Sequence, residues 1–523
     1  MKPNQNHPLT SRRQVLKATA ATGLVLSAGA LTGGSATAAT PKRGGTFRVG
    51  LGHGSTTDSL DPATYENDFT IFMTHSRNLY LTQIDKTGEL RPEIADSWEP
   101  SADAKQWSFK IRKGIEYHNG RTLTADDVVA SFNHHRGDDT KSAAKPIVSP
   151  IEDIRTDGSD RVVFTLANGN ADFPFLASDY HIPILPADEG KVDWQSGVGA
   201  GGYALQGWEP GVRATYKRHP NFYRDDQAFF DGIDLLTIAD TTARTTALIS
   251  DEIDVMDRVD LKTVGNLERK SGIRVEETSG TAHYTIPMNT QAAPFSDNNV
   301  RLALKWALDR EALVNTILKG HGVVGNDHPI GSANRYHAAD LEQHHYDPDK
   351  AKHFMKKAGL STLKVDLHAA DAAFAGAIDA AVLYKEHAAN AGIEINVVRE
   401  PNDGYWGNVW LKKDWVFSYW GGRPTEDWMF TMAYAADAAW NEAHWQHEKF
   451  NKLLLQGRSE IDEGKRREIY HEMQRICRDE GGSVVPMFNN YVWAVNDRVK
   501  NSGQIAANKV LDGQLAALRW WFA

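Results

Sequence analysis

Three features of the sequence predict an α/β fold divided among about three domains. The chain has 523 residues, more than one hydrophobic core ordinarily serves. Its composition, 41% hydrophobic and 24% charged, is that of a globular protein. Beyond residue 350, segments of helical period alternate with segments of strand period, as in strands covered by helices. The sequence carries no repeat at solenoid or propeller period and no low-complexity linker, so short crossings must join the domains.

The first residues include Ser11-Arg12-Arg13-Gln14-Val15-Leu16-Lys17, then an apolar stretch from Ala18 to Leu31, then Ala36-Thr37-Ala38. Basic, apolar, small-x-small is the order of an export signal. The paired arginine, with no acid before residue 39, reads as a twin-arginine signal, whose pathway carries folded cargo. The apolar stretch, about 14 residues rich in Ala, Gly and Thr, falls short of the roughly 20 that span a bilayer. Removing residues 1–38 removes Lys2, Arg12, Arg13 and Lys17, which takes the formal charge from −10 to −14. So acidic a chain argues against nucleic acid or anionic lipid as a partner, since both reward basic patches. No cysteine stands at the cleavage point to carry a lipid anchor, and Cys477 is the only cysteine of the chain, so no intramolecular disulfide can form. The expectation is a soluble, monomeric periplasmic protein.

In order along the mature chain, Gly44 to Val49 reads as a short strand, followed by a turn-rich loop to Pro62. Alternating apolar residues and turns from Leu79 to Ile111 suggest a small sheet. Thr124 and Asp127 stand three apart, as a helix-capping pair does, and Val128, Val129 and Phe132 give that helix a buried face. Strand-like runs return at 161–166 and 212–217. Asp297 precedes Val300, Leu302, Leu304, Ala307 and Leu308 at helical spacing, and a second helix runs from Arg310 to Lys319. Helices over 351–358 and 375–391 then alternate with strands over 363–367, 393–398 and 415–419.

Several of these segments resemble the large extracellular solute-binding proteins of family 5, the dipeptide, oligopeptide, opine and nickel receptors of ABC importers. The resemblance is most specific at Leu79-Tyr80-Leu81-Thr82, at Leu90 to Glu99, and from Trp107 to Gly120, ending in Leu123-Thr124-Ala125-Asp126-Asp127-Val128. Further matches are Ser59-Leu60-Asp61-Pro62, Gly199 to Tyr203, Asn221-Phe222-Tyr223, and Val300 to Leu304 with Asp309-Arg310. It implies the periplasmic binding protein fold, type II, in its large three-domain variety: two lobes around a hinge with an additional inserted domain. Lobe I would comprise residues 39–76, 200–282 and 491–523, the insert 77–199, and lobe II 283–490. The implied function is a receptor that captures a small-molecule solute and delivers it to permease and ATPase subunits.

The resemblance also directs attention to residues 371–423. Related receptors end this stretch in Trp, Gly and an Asp that holds a ligand ammonium, whereas this chain reads Tyr419-Trp420-Gly421-Gly422-Arg423. A guanidinium offers a bidentate fork to a carboxylate, phosphate or sulfonate. Dipeptide receptors carry an arginine after the strand matching 363–367, where this chain has Asp371 and Phe374 instead. The two charges thus exchange places, and the expected ligand is zwitterionic or peptide-like, a dipeptide, opine or modified amino acid, held by Arg423 and Asp371. The competing reading pairs Arg423 with Glu426 or Asp427 on a surface turn. Among the aromatic residues between 405 and 428, Trp420, Tyr419 and Trp406 are candidates for the pocket, while Trp415, Phe417 and Tyr419 alternate as one buried strand face does. His53 and Ser55 lie in a turn matching a family loop that borders the ligand.

No Gly-x-Ser-x-Gly elbow, phosphate-cradling loop or His-Glu-x-x-His occurs. The pairs His444/His447, His134/His135 and His344/His345 bring no third ligand at metal spacing. No cofactor or metal is expected, and the chain reads as a receptor, not an enzyme. The alternatives are a periplasmic hydrolase or processing enzyme, which needs a nucleophile and base in the cleft, and a peptide-loaded chaperone or signalling receptor on the same fold.

Overall fold

The computed structural model describes residues 40–523, and the export signal read at residues 1–38 lies outside them. Its largest sheet has nine strands. Thr46–Leu51 lies inside it, burying Phe47, Val49 and Leu51, and runs parallel to Gly232–Thr237 and Val255–Met256. On one side Gly232–Thr237 continues antiparallel into Arg213–Arg218 and Tyr203–Glu209. On the other, Val255–Met256 joins the long strand Ser483–Asn496, which pairs antiparallel with Ile273–Pro287. Ser418–Trp420 closes that edge, and Gly322–Val324 pairs onto Ser483–Asn496.

A separate antiparallel sheet of four strands, in the order Ala95–Pro100, Gln106–Ile111, Arg161–Leu166, Ile151–Thr156, packs against the helix Ala125–Asn133. That helix starts where the sequence places its cap: the Thr124 N–H and hydroxyl both donate to Asp127, at 2.9 and 3.1 Å. Farther on, Leu363–Ala369 and Ile393–Arg399 pair in parallel with the helix Ala377–Ala389 between them in sequence. Burial alternates along Leu363–Ala369, with Leu363, Val365 and Leu367 facing inward, and over the first four residues of Ile393–Arg399.

Three of the hydrophobic cores draw on different stretches of chain. One gathers Phe47, Phe69, Phe72, Tyr203, Trp493 and Trp520. A second gathers residues between Leu79 and Ala200, and a third residues between Ile286 and Met487.

One sequence reading is corrected. The run 415–419 is bridged from its start, Trp415 to Met288 and Val416 to His368, before Ser418–Trp420 joins the large sheet, but of its alternating residues Trp415 and Phe417 are buried while Tyr419 turns out and is 50% exposed. Of the histidine pair 444/447, His444 adopts φ 49° and His447 is the N-cap of Glu448–Ser459, its Nδ1 accepting from the Phe450 N–H.

Candidate functional site

Distant parts of the chain meet at a cavity of about 350 Å³. The helix Asp68–Arg77 supplies His75, the loop after it Tyr80, and the strand Thr82–Ile84 supplies Thr82 and Gln83. The loop after Phe173–Leu176 supplies Asp179, Tyr180 and His181. Thr281 comes from Ile273–Pro287, Arg423 from the turn between Ser418–Trp420 and Glu426–Ala433, and Lys509 from the C-terminal segment.

Charge in this cavity is unevenly satisfied. Arg423 donates Nη1 to the carbonyls of Gly421 (2.7 Å) and Gly422 (3.4 Å), and among the described residues no carboxylate pairs with it. Burial lowers its pKa against the opposing pull of Tyr180 and Asp179. The neighbours that might have neutralised it are committed elsewhere: Glu426 accepts from the Tyr336 N–H at 2.7 Å, and Asp427 pairs with Arg458 at 3.1 Å. Lys509 likewise has no ion pair among the described residues; its Nζ lies 4.9 Å from the Tyr180 ring centroid, and burial lowers its pKa.

The one carboxylate of the lining, Asp179, is held by His181 through Nδ1 at 2.6 Å and through its backbone N–H at 3.0 Å. Burial alone would raise the Asp179 carboxyl; the charge and hydrogen bonds of His181 outweigh it and hold the pKa below its ordinary value. His75 is kept neutral, its pKa pushed down to about 3 by burial and by Lys509 and Arg519. Its Nδ1 is buried with no hydrogen-bond partner among the described residues.

A second recess, of about 360 Å³, shares Arg423 and Trp440 with the first and is otherwise lined by Trp406, Trp410, Ser418, Tyr419, Trp420 and Gly421. Trp406 contacts Trp410 and Tyr419 at centroid distances of 5.7 and 5.6 Å, and Trp440 contacts Trp410 and Trp420 at 6.3 and 5.9 Å.

Four of the sequence-derived candidates, Arg423, Trp420, Tyr419 and Trp406, therefore meet around these two recesses. The other four are placed elsewhere. Asp371 lines neither recess; its Oδ1 accepts from the backbone N–H groups of Gly376 (3.2 Å) and Ile378 (3.5 Å), at the start of Ala377–Ala389. Phe374 is core, its ring stacked on Tyr284 at 3.8 Å and only 8% exposed. Nδ1 of His53 lies 3.8 Å from Asp68, and the Ser55 hydroxyl is bonded to that of Thr57 at 2.6 Å. Sequence reasoning missed Lys509, Trp440 and the Asp179-Tyr180-His181 triplet. The triplet had a signal, three polar-tipped residues between the apolar runs 173–176 and 182–185; Lys509 had none.

Compared with known proteins, residues 89–442 match the model of the bacterial extracellular solute-binding proteins, family 5 Middle. A probable D,D-dipeptide-binding periplasmic protein of Escherichia coli is 25% identical over 480 residues, 86% of this chain and 90% of the relative. Among solved structures, a binding protein from A. tumefacien R10 in complex with agropinic acid superposes with a TM-score of 0.71 at 23% identity, covering 92% of this chain and 99% of the other. A protein named HbpA2 from Haemophilus parasuis superposes at 0.80 and 19% identity, covering 90% and 99%.

Proposed function

The chain belongs to the bacterial extracellular solute-binding proteins of family 5, and from that premise we propose that it is an ABC-importer receptor whose solute presents an anionic group to Arg423 and Lys509. Its fold is that of the periplasmic binding proteins, and receptors of this family work with permease and ATPase subunits of an importer. The observation that carries the ligand class is the pair of cations lining one cavity, neither matched by a carboxylate among the described residues. Both cations are partly buried, a partly desolvated charge left unpaired is costly, and an incoming carboxylate offsets that cost through charge-assisted hydrogen bonds. A small zwitterionic or peptide-like solute satisfies this, and the agropinic acid of the structural relative is an acid.

We take residues 39–76, 200–282 and 491–523 as one lobe, 77–199 as the insert and 283–490 as the other lobe. The separate cores support this division. The antiparallel register of Ile273–Pro287 with Ser483–Asn496 shifts between Ser279 and His283, next to the proposed crossings, which gives closure a place to bend.

A binding role, not catalysis, fits the lining. The hydroxyls of Thr82 and Ser178 donate to the carbonyls of Pro174 (2.6 Å) and Phe175 (2.7 Å). His181 spends both ring nitrogens on Asp179 and the Tyr65 carbonyl, so neither of these hydroxyls nor this imidazole is held as a nucleophile–base pair.

Two experiments test the proposal. Arg423→Ala lowers affinity for the solute at least tenfold, about 1.4 kcal/mol, read by titration calorimetry; a loss below about 1 kcal/mol contradicts the anchor role. Export by the twin-arginine pathway, proposed from Arg12-Arg13, is tested by changing both to Lys, which should leave the precursor in the cytoplasm; continued export overturns it.

A further inference from the structure

We infer that the recess walled by Trp406, Trp410, Tyr419, Trp420 and Trp440 receives the cationic end of the solute, and that this end is a quaternary or N-methylated ammonium. The inference deepens the proposed function and rests on it.

The walls come first. Trp406 stands at 77° to Trp410 and 71° to Tyr419, and Trp440 at 60° to Trp410 and 55° to Trp420. Mutually inclined rings surround a volume instead of stacking it shut. Three of them, Trp406, Tyr419 and Trp440, remain 40–50% exposed, which is unusual for such large apolar side chains unless something covers them.

Charge is the independent observation. Glu442 accepts from the indole N–H groups of Trp410 (2.6 Å) and Trp420 (2.9 Å) and from the Thr285 hydroxyl (3.0 Å). All three donors are neutral, and no cation pairs with it among the described residues. Burial raises the pKa of this acid and the hydrogen bonds it accepts oppose the rise; with no cation beside it, its ionised form at the ring edges makes the indoles better hosts for a cation and leaves their faces to the recess.

The kind of cation follows from the acceptors available. A primary ammonium entering the recess must find partners for three N–H bonds. Glu442 already accepts three of the roughly four hydrogen bonds its oxygens can take, the Ser418 hydroxyl is buried, and the hydroxyl of Tyr419 remains on the walls. A methylated head has few or no N–H bonds to satisfy, and aromatic faces suit it. Arg423 adds a condition: its guanidinium carbon lies 5.9 Å from the Trp420 ring and repels a bare cation. A zwitterion whose carboxylate neutralises Arg423 meets no such barrier.

Titration calorimetry on the mature protein tests this with trimethylammoniobutanoate, the neutral-headed isostere in which carbon replaces its nitrogen, and the tetramethylammonium ion. The zwitterion should bind about tenfold more tightly than the isostere, and tetramethylammonium at least tenfold more weakly than the zwitterion. Trp440→Leu and Trp406→Leu, both at exposed positions, should weaken the zwitterion more than the isostere and so erase the preference between them. Glu442→Gln should reduce the same preference. Equal binding of zwitterion and isostere, or a preference that survives both tryptophan substitutions, overturns the inference. So does tight binding of tetramethylammonium, or failure of the zwitterion where other carboxylate solutes bind. If no carboxylate solute binds at all, the anion site at Arg423 and Lys509 fails first, and the recess assignment falls with it.

Discussion

Position 422 has no room for a side chain: a Cβ there would fall 1.6 Å from the Thr281 hydroxyl oxygen. An acid at that point of the turn is thus excluded by the close approach of Ile273–Pro287, and the first residue able to reach the cavity is Arg423. One charge therefore governs the chemistry of the turn, and it is the one legible in the sequence. Behind the cavity wall, Glu93 shows a different use of a buried acid. It accepts from the Tyr80 N–H (2.7 Å) and the Gln83 amide (2.6 Å), and burial pushes its pKa up to about 8, those hydrogen bonds offsetting part of the shift. The native protein keeps a proton there that the unfolded chain releases near pH 4, so stability declines as pH rises through that interval. Glu93→Gln removes this slope. Denaturant unfolding should show the variant losing at least about 1 kcal/mol less than the parent between about pH 5 and pH 8; parallel curves would contradict a protonated Glu93.

Elements were legible where periodicity was intact. The Thr124–Asp127 cap, the helix after Asp297 and the alternating strands 363–369 and 393–399 stand within about two residues of where pattern alone puts them, the usual scatter at element ends. The two longest strands carried no such pattern. Ile273–Pro287 contains Thr278-Ser279-Gly280-Thr281, where the ladder shifts register, and the shift breaks the apolar alternation a strand is recognised by. Ser483–Asn496 is buried at nearly every position between Ser483 and Phe488, so it reads as a featureless apolar run. The site suffered the same limit. Arg423, Trp420, Tyr419 and Trp406 were legible because they cluster in sequence. Lys509 and Asp179 reach the cavity only through tertiary folding, and Asp371 left it because the loop folds back to cap Ala377–Ala389.

Across the whole molecule, the cavity lies where segments 75–88, 175–181, 422–440 and 508–515 converge, and nearby contacts join residues 171–172 to residues 335 and 458–466, which the proposed division assigns to the insert and the second lobe. Asp172 approaches Arg466 to 2.8 Å and Arg335 to 3.7 Å, and the Ala171 N–H donates to the Arg458 carbonyl at 2.7 Å. A solute that binds a closed form better than an open one draws the population toward it by that differential affinity. A ligand that binds only the folded protein also raises the unfolding temperature by mass action, about 2.7 kcal/mol at a hundredfold excess over Kd. The most direct measurement is therefore thermal unfolding of residues 39–523 against dipeptides, opines, betaines, oligosaccharides and metal ions, alongside Arg423→Ala. The account predicts a rise in Tm with zwitterionic solutes that Arg423→Ala abolishes. A rise confined to oligosaccharides or metal ions, or one that Arg423→Ala leaves intact, would contradict it.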